Sequence, residues 1–122
     1  MQLKKEQFIL LVEDNTAVRE ALVWALEYAG YETVTVQNGQ EALNLLDNGS
    51  LPMAIFLDLM MPVLDGFEFR EKKKISQRIR HIPTIITSAK TNLEKMEKMP
   101  YEIFLPKPFE LNDLFHALKK IL

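Results

Sequence analysis

No cysteine occurs in the 122 residues. That excludes a disulfide scaffold, thiolate zinc, iron–sulfur ligation and a cysteine nucleophile. Long apolar runs are missing too. Phe8 to Val12 is far too short for a membrane span or a signal core, and Met1 to Gln7 ahead of it is polar. Net charge is small: 15 Lys and Arg against 17 Asp and Glu leave −2, which gives no global pull towards nucleic acid or an anionic membrane. There is no internal repeat, low-complexity linker or Ser/Gly-rich seam. What is present is 48% apolar and 26% charged residues, an ordinary globular mixture at a length natural for one domain. The expectation is a single domain over 1–122 in a reducing compartment, cytoplasmic by default.

The apolar pattern alternates between two kinds of segment. Phe8 to Val12 is a continuous apolar run stopped by Glu13-Asp14-Asn15, as in a buried strand followed by a turn. Val18, Ala21, Leu22, Ala25, Leu26 and Ala29 then keep helical spacing from about 16 to 29, with Gly30 placed for a left-handed cap. Thr33 to Val36 is β-branched throughout and reads as a second strand. Asn38-Gly39 reads as a turn, and Ala42, Leu43, Leu45 and Leu46 as a helix stopped at Asn48-Gly49. Met53 to Leu57, Thr84 to Thr87 and Ile103 to Leu105 supply three more strands. Between and after them fall a helix from Gly66 to about Ile75, a short one around Leu93, Met96 and Glu97 ended by Pro100, and a last one carrying Leu111, Leu114, Phe115, Leu118 and Ile121.

Five β-α repeats imply a parallel sheet covered on both faces, with its site beyond the carboxyl ends of the strands. Those ends carry Glu13 and Asp14, then Asp58, Ser88 and Lys107. Three carboxylates on one rim repel each other unless a cation intervenes. A few oxygen ligands suit Mg²⁺, which keeps waters and accepts phosphoryl oxygens. Lys107 and the Ser88 hydroxyl offer a charge and a donor for an anionic phosphoryl group, and Asp58 is a candidate nucleophile.

These residues stand in Leu11-Val12-Glu13-Asp14, Leu57-Asp58-Leu59-Met60-Met61-Pro62, Asp65-Gly66, Thr87-Ser88-Ala89 and Leu105-Pro106-Lys107-Pro108-Phe109. With these signatures the chain resembles, over essentially its whole length, the receiver domain of bacterial two-component response regulators. The resemblance implies a doubly wound, flavodoxin-like (βα)5 sandwich with a sheet of order 2-1-3-4-5. It implies Asp58 as phosphoacceptor, with Glu13, Asp14, Asp58 and the backbone carbonyl of Met60 around Mg²⁺, or Mn²⁺ as the alternative ion. Ser88 is then the hydroxyl that turns to the phosphoryl group, Lys107 its salt-bridge partner, and Phe104 the aromatic that moves inward when Ser88 shifts. A cis Lys107–Pro108 peptide is expected on the same ground. The implied function is that of a phosphoprotein taking a phosphoryl group from a sensor histidine kinase or histidine phosphotransfer protein. It would not be a turnover enzyme, and its output would pass to a partner protein or a missing domain, since the last helix ends at Leu122.

Other readings are weaker. A receiver-like interaction module independent of phosphorylation is the alternative, against which the complete acidic set argues. A haloacid-dehalogenase-type phosphatase needs a second Asp two residues after the nucleophile, and Met60 stands there. His81 and His116 read as surface residues. The basic run Arg70, Lys72, Lys73, Lys74, Arg78 and Arg80 reads as a solvated face complementing a helix dipole, with no aromatic platform for nucleic acid. The sequence departs from the family at Glu13, where Asp is common, and across Thr91 to Glu102, which is short and lacks the usual Ala-Gly turn. Met60 and Lys90 flank the expected phosphosite at positions where family members tune dephosphorylation.

Overall fold

The apolar runs become five parallel strands: β1 (Phe8–Val12), β2 (Glu32–Val36), β3 (Ala54–Asp58), β4 (Thr84–Ala89) and β5 (Glu102–Lys107). Five helices alternate with them: α1 (Thr16–Tyr28), α2 (Gly39–Asp47), α3 (Gly66–Lys74), α4 (Lys90–Glu94) and α5 (Leu111–Ile121). This is a computed structural model describing residues 8–122; the polar stretch Met1 to Gln7 lies outside the described residues. The sheet order is β2-β1-β3-β4-β5 with every pairing parallel, the doubly wound topology expected.

Period-two alternation along the central strands divides the core. Leu10 and Val12 of β1 face a cluster with Leu46, Ile55, Leu57, Phe69 and Ile86, under α2 and α3. Ile9 and Leu11 face the opposite cluster with Leu22, Leu26, Phe56, Leu114 and Leu118, under α1 and α5. Both faces of β1 and β3 are therefore dry, which is why those strands read as unbroken apolar runs. Among the described residues no helix is long and apolar enough to cross a membrane.

Several boundaries differ from the sequence reading. Asn38 is not half of a free turn: its side chain accepts from Glu41 N and caps α2, with Gly39 already helical. The third strand is shifted one residue, so Asp58 is its last member rather than the first residue after it. The fourth helix starts at Lys90 directly after β4 and stops at Glu94, leaving Met96 and Glu97 beyond it. The strand β5 extends to Pro106 and Lys107, which an edge position allows, because there a missing ladder donor is harmless.

The basic run is the larger correction. Arg70 and Lys73 are buried, at 7% and 6% exposure, rather than part of a solvated face. The Arg70 guanidinium donates through Nε and Nη2 to the two carboxylate oxygens of Glu102, at 2.8 and 2.7 Å, and through Nη2 to the Glu97 carbonyl. The Lys73 ammonium donates to the Arg80 carbonyl. Arg78 reaches the carbonyls of Leu46 and Gly49 at the end of α2. These partners lie up to 32 residues away in sequence, so helical periodicity carries no trace of them.

Gly66 opens α3 beneath the residue that follows β3. A Cβ there would lie 2.5 Å from Leu59 Cα and 3.0 Å from the Asp58 carbonyl oxygen. Both obstacles are backbone, so the loop itself must move. We expect Gly66→Ala to destabilise the fold by about 1–3 kcal/mol, the usual range for overpacking, read as a lower urea midpoint at unchanged slope.

Candidate functional site

Parallel pairing aligns the carboxyl ends of the strands. Val12 sits opposite Leu57, Asp58 opposite Thr87, and Ala89 opposite Lys107. Glu13 and Asp14 follow β1 at once, so they arrive beside Asp58. One carboxylate oxygen from each of Glu13, Asp14 and Asp58 lies within 4.8 Å of the others. The Lys107 ammonium donates to Asp58 Oδ2 at 3.1 Å, and the Met60 amide to Asp58 Oδ1 at 3.0 Å. The structure thus brings Glu13, Asp14, Asp58, Met60 and Lys107 together from three separate stretches of chain. Lys107–Pro108 is cis, as expected.

Charge in this cluster is unbalanced. Three carboxylates face one ammonium whose side chain is 41% exposed. Glu13 and Asp58 are buried, while Asp14 is exposed to solvent. Glu13 Oε2 accepts from the Asn15 amide at 3.0 Å, but Oε1 is buried without any hydrogen-bond partner. Burial pushes the Glu13 carboxyl up from 4.5 to about 7; the Asp58 charge adds to this, and the Asn15 amide and Lys107 oppose it. A buried acceptor with an unused lone pair, next to two further carboxylates, is the donor set of a hard divalent cation, and it fits Mg²⁺ or Mn²⁺. The extra methylene of Glu13 does not take it out of the cluster.

Ser88 is buried on the neighbouring strand, one residue beyond the partner of Asp58. Its Oγ accepts from Asn92 Nδ2 at 2.9 Å, which leaves the hydroxyl proton free to be donated elsewhere. The adjacent Thr87 hydroxyl is spent on the Leu105 carbonyl. Phe104 pairs with Ile86 and is half-buried against the α3-side core. The Arg70 guanidinium carbon and the Lys98 Nζ lie 5.8 and 5.5 Å from its ring centre, inside cation–π range.

Three contributors escape the sequence reading. Arg19, one turn into α1, donates to the carbonyls of Glu13 and Asp14 at 2.8 and 3.3 Å and braces the acidic turn. Asn15 caps α1 through Val18 N and bonds Glu13 through its own amide; an Asn just before a helical pattern is the signal that marks it. Asn92 holds Ser88 from one helical turn away, and only the structure reveals it.

This arrangement can accept a phosphoryl group: a buried carboxylate nucleophile, an ammonium in contact with it, a free hydroxyl donor beside it and an acidic pair for a cation. Comparison with known proteins agrees. Residues 9–119 match the response regulator receiver domain family. The chain is 35% identical to the response regulator MprA of Mycobacterium sp. (strain KMS) over 117 residues, covering 93% of this chain and 50% of that protein. It therefore spans about half the length of the curated relatives it matches. Among solved structures it is similar to the signal receiver domain of a signal transduction histidine kinase from Syntrophus aciditrophicus, with a TM-score of 0.85, 31% identity, and coverage of 95% of this chain and 89% of that one. It is also similar to the receiver domain of a sensor histidine kinase from Pseudomonas aeruginosa PAO1, with a magnesium ion coordinated in the active site cleft. There the TM-score is 0.80 at 28% identity, over 93% of this chain and 95% of that one.

Proposed function

The chain belongs to the response regulator receiver domain family, and from that premise we propose that it takes a phosphoryl group onto Asp58 from a phosphohistidine. The donor is a sensor histidine kinase or a histidine phosphotransfer protein. In the transfer an Asp58 carboxylate oxygen forms a bond to phosphorus as the phosphorus–nitrogen bond breaks, and the imidazole leaves. Glu13, Asp14, Asp58 and the Met60 carbonyl would hold Mg²⁺, which when bound supplies positive charge to the phosphoryl oxygens. Lys107, already in contact with Asp58, moves its charge onto the new anion. Ser88 donates its free hydroxyl proton to a phosphoryl oxygen while still accepting from Asn92.

Phosphorylation adds charge and three strong acceptors at the end of β3. Movement of Ser88 then opens space two residues along from Phe104, whose half-buried ring turns inward and changes the surface beside α4 and β5. The domain acts stoichiometrically, in the cytoplasm, and its output passes to a partner protein or to a domain outside this stretch. The contact between Lys107 Nζ and Asp58 Oδ2, inside a three-carboxylate cluster, is the observation that carries this reading.

Intact mass after incubation with acetyl phosphate and Mg²⁺ tests it. Wild type gains one phosphoryl mass, lost on hydroxylamine treatment, and Asp58→Asn gains none. An unmodified wild type, also with a competent phosphohistidine donor, overturns it in favour of an interaction module that works without phosphate.

A further inference from the structure

A second polar site lies on the opposite rim of the sheet. The end of α3, the residues entering β4 and those entering β5 enclose a cavity of about 330 Å³, a volume suited to a small molecule. Its polar wall carries Arg70, Lys73, Lys74, Arg80 and His81, against a single carboxylate, Glu102. That carboxylate is spent: its oxygens accept from Arg70 Nε, Arg70 Nη2 and the Met99 amide. The remaining cations have no carboxylate within ion-pair distance among the described residues.

Lys73 is the informative member. Its side chain is buried in a residue only 6% exposed, and its ammonium makes one hydrogen bond, to the Arg80 carbonyl at 3.0 Å. An ammonium has three donors, so two have no protein acceptor among the described residues. Burial accordingly lowers its pKa from 10.5 to about 8, with Glu102 opposing. A buried cation whose one nearby carboxylate is already paired with Arg70 is costly for a fold to keep, and an anion entering the cavity adds the charge it is short of.

The other wall is apolar and fixed. Met99, Pro100 and Tyr101 line it, and the Tyr101 and His81 rings meet edge to face with centres 5.4 Å apart. Tyr101 is held at φ 70°, a left-handed conformation uncommon for a side chain of its size. Its carbonyl is tied to the Thr84 amide at 2.8 Å.

We propose that this cavity binds a small organic anion, a carboxylate or phosphate group carried on a flat apolar body. The charged head meets Lys73 and Arg80, and the body lies against Tyr101, His81 and Met99. The site is separate from the Asp58 rim and does not depend on phosphorylation.

Phenylphosphonate is the probe, because its carbon–phosphorus bond cannot donate a phosphoryl group to Asp58. Titration into the whole chain without Mg²⁺, followed by amide NMR shifts, should saturate at residues around Lys73, Arg80, His81 and Tyr101 with Kd near or below about 1 mM, a fragment-scale affinity. Lys73→Met should weaken binding by about tenfold or more, as one lost charge contact predicts, while its thermal midpoint stays level or rises. The exposed Arg80→Gln, whose folding is not at risk, should weaken binding by several-fold. Inorganic phosphate, lacking the apolar body, should bind more weakly than phenylphosphonate. Shifts that never saturate overturn the proposal. So does equal affinity in wild type, Lys73→Met and Arg80→Gln, or inorganic phosphate binding as tightly as phenylphosphonate.

Discussion

Replacing Arg70 by Met should destabilise the protein by about 3–5 kcal/mol, the loss typical when one partner of a buried ion pair is removed. Both partners are out of water: the Arg70 and Glu102 side chains are 7% and 5% exposed. The guanidinium forms a fork on the carboxylate, with Nε and Nη2 each holding one oxygen, the strongest geometry available to such a pair. After the substitution Glu102 keeps only the Met99 amide and remains a buried charge. The penalty should shrink sharply in the double variant Arg70→Met, Glu102→Met, because removing both charges relieves the stranded one. A urea-denaturation double-mutant cycle measures this. If the double variant is as unstable as the single, the loss comes from packing rather than charge.

The pair also borders the ring that is proposed to turn inward on phosphorylation. Arg70 spans from α3 to the first residue of β5 and lies against the face of Phe104 two residues further on. Any change in that ring's position is therefore felt by the arginine, and the loss of the arginine alters what the ring packs on.

The carboxyl-end site was legible in the sequence and the amino-end one was not, for a physical reason. Strands β1, β3 and β4 are buried on both faces, so their apolar runs stop abruptly at their carboxyl ends, and the polar residues at those stops mark the rim. Glu13, Asp14, Asp58 and Ser88 announce themselves in this way, and parallel order then makes them neighbours. Arg70 and Lys73 sit on α3, whose sequence GFEFREKKK reads as a charged surface helix. Their burial depends on Glu102 and the Arg80 carbonyl, contributed by other elements, so no local pattern encodes it. The segment between β4 and β5 was legible in part, since its helix is short, as expected. Leu93 and Met96 do pack on the core, but the helix closes at Glu94, and an irregular chain carries Met96 inward.

Between pH 4.5 and about 7, the metal-free protein should lose stability on the order of 3 kcal/mol as Glu13 ionises beside the Asp58 charge. The sign follows from proton counting. In the unfolded chain this carboxyl titrates near 4.5, whereas burial holds it protonated in the folded state up to about 7. Across that window the native state carries more protons, so raising the pH favours unfolding, and the loss levels off above about 7. Glu13→Gln removes the titrating group and leaves an uncharged amide in the buried position. Its advantage over wild type should be small near pH 4.5 and largest above pH 7. Mg²⁺ should reverse the ranking at neutral pH, since a bound dication favours the ionised carboxylate and stabilises only the folded form. Adding EDTA should restore it. Urea midpoints for both proteins from pH 4 to 8, with Mg²⁺ and with EDTA, give the test. A wild-type minus Glu13→Gln difference that stays constant with pH in EDTA means that Glu13 is already ionised without a metal. In that case the cation is not what keeps its charge in the cluster.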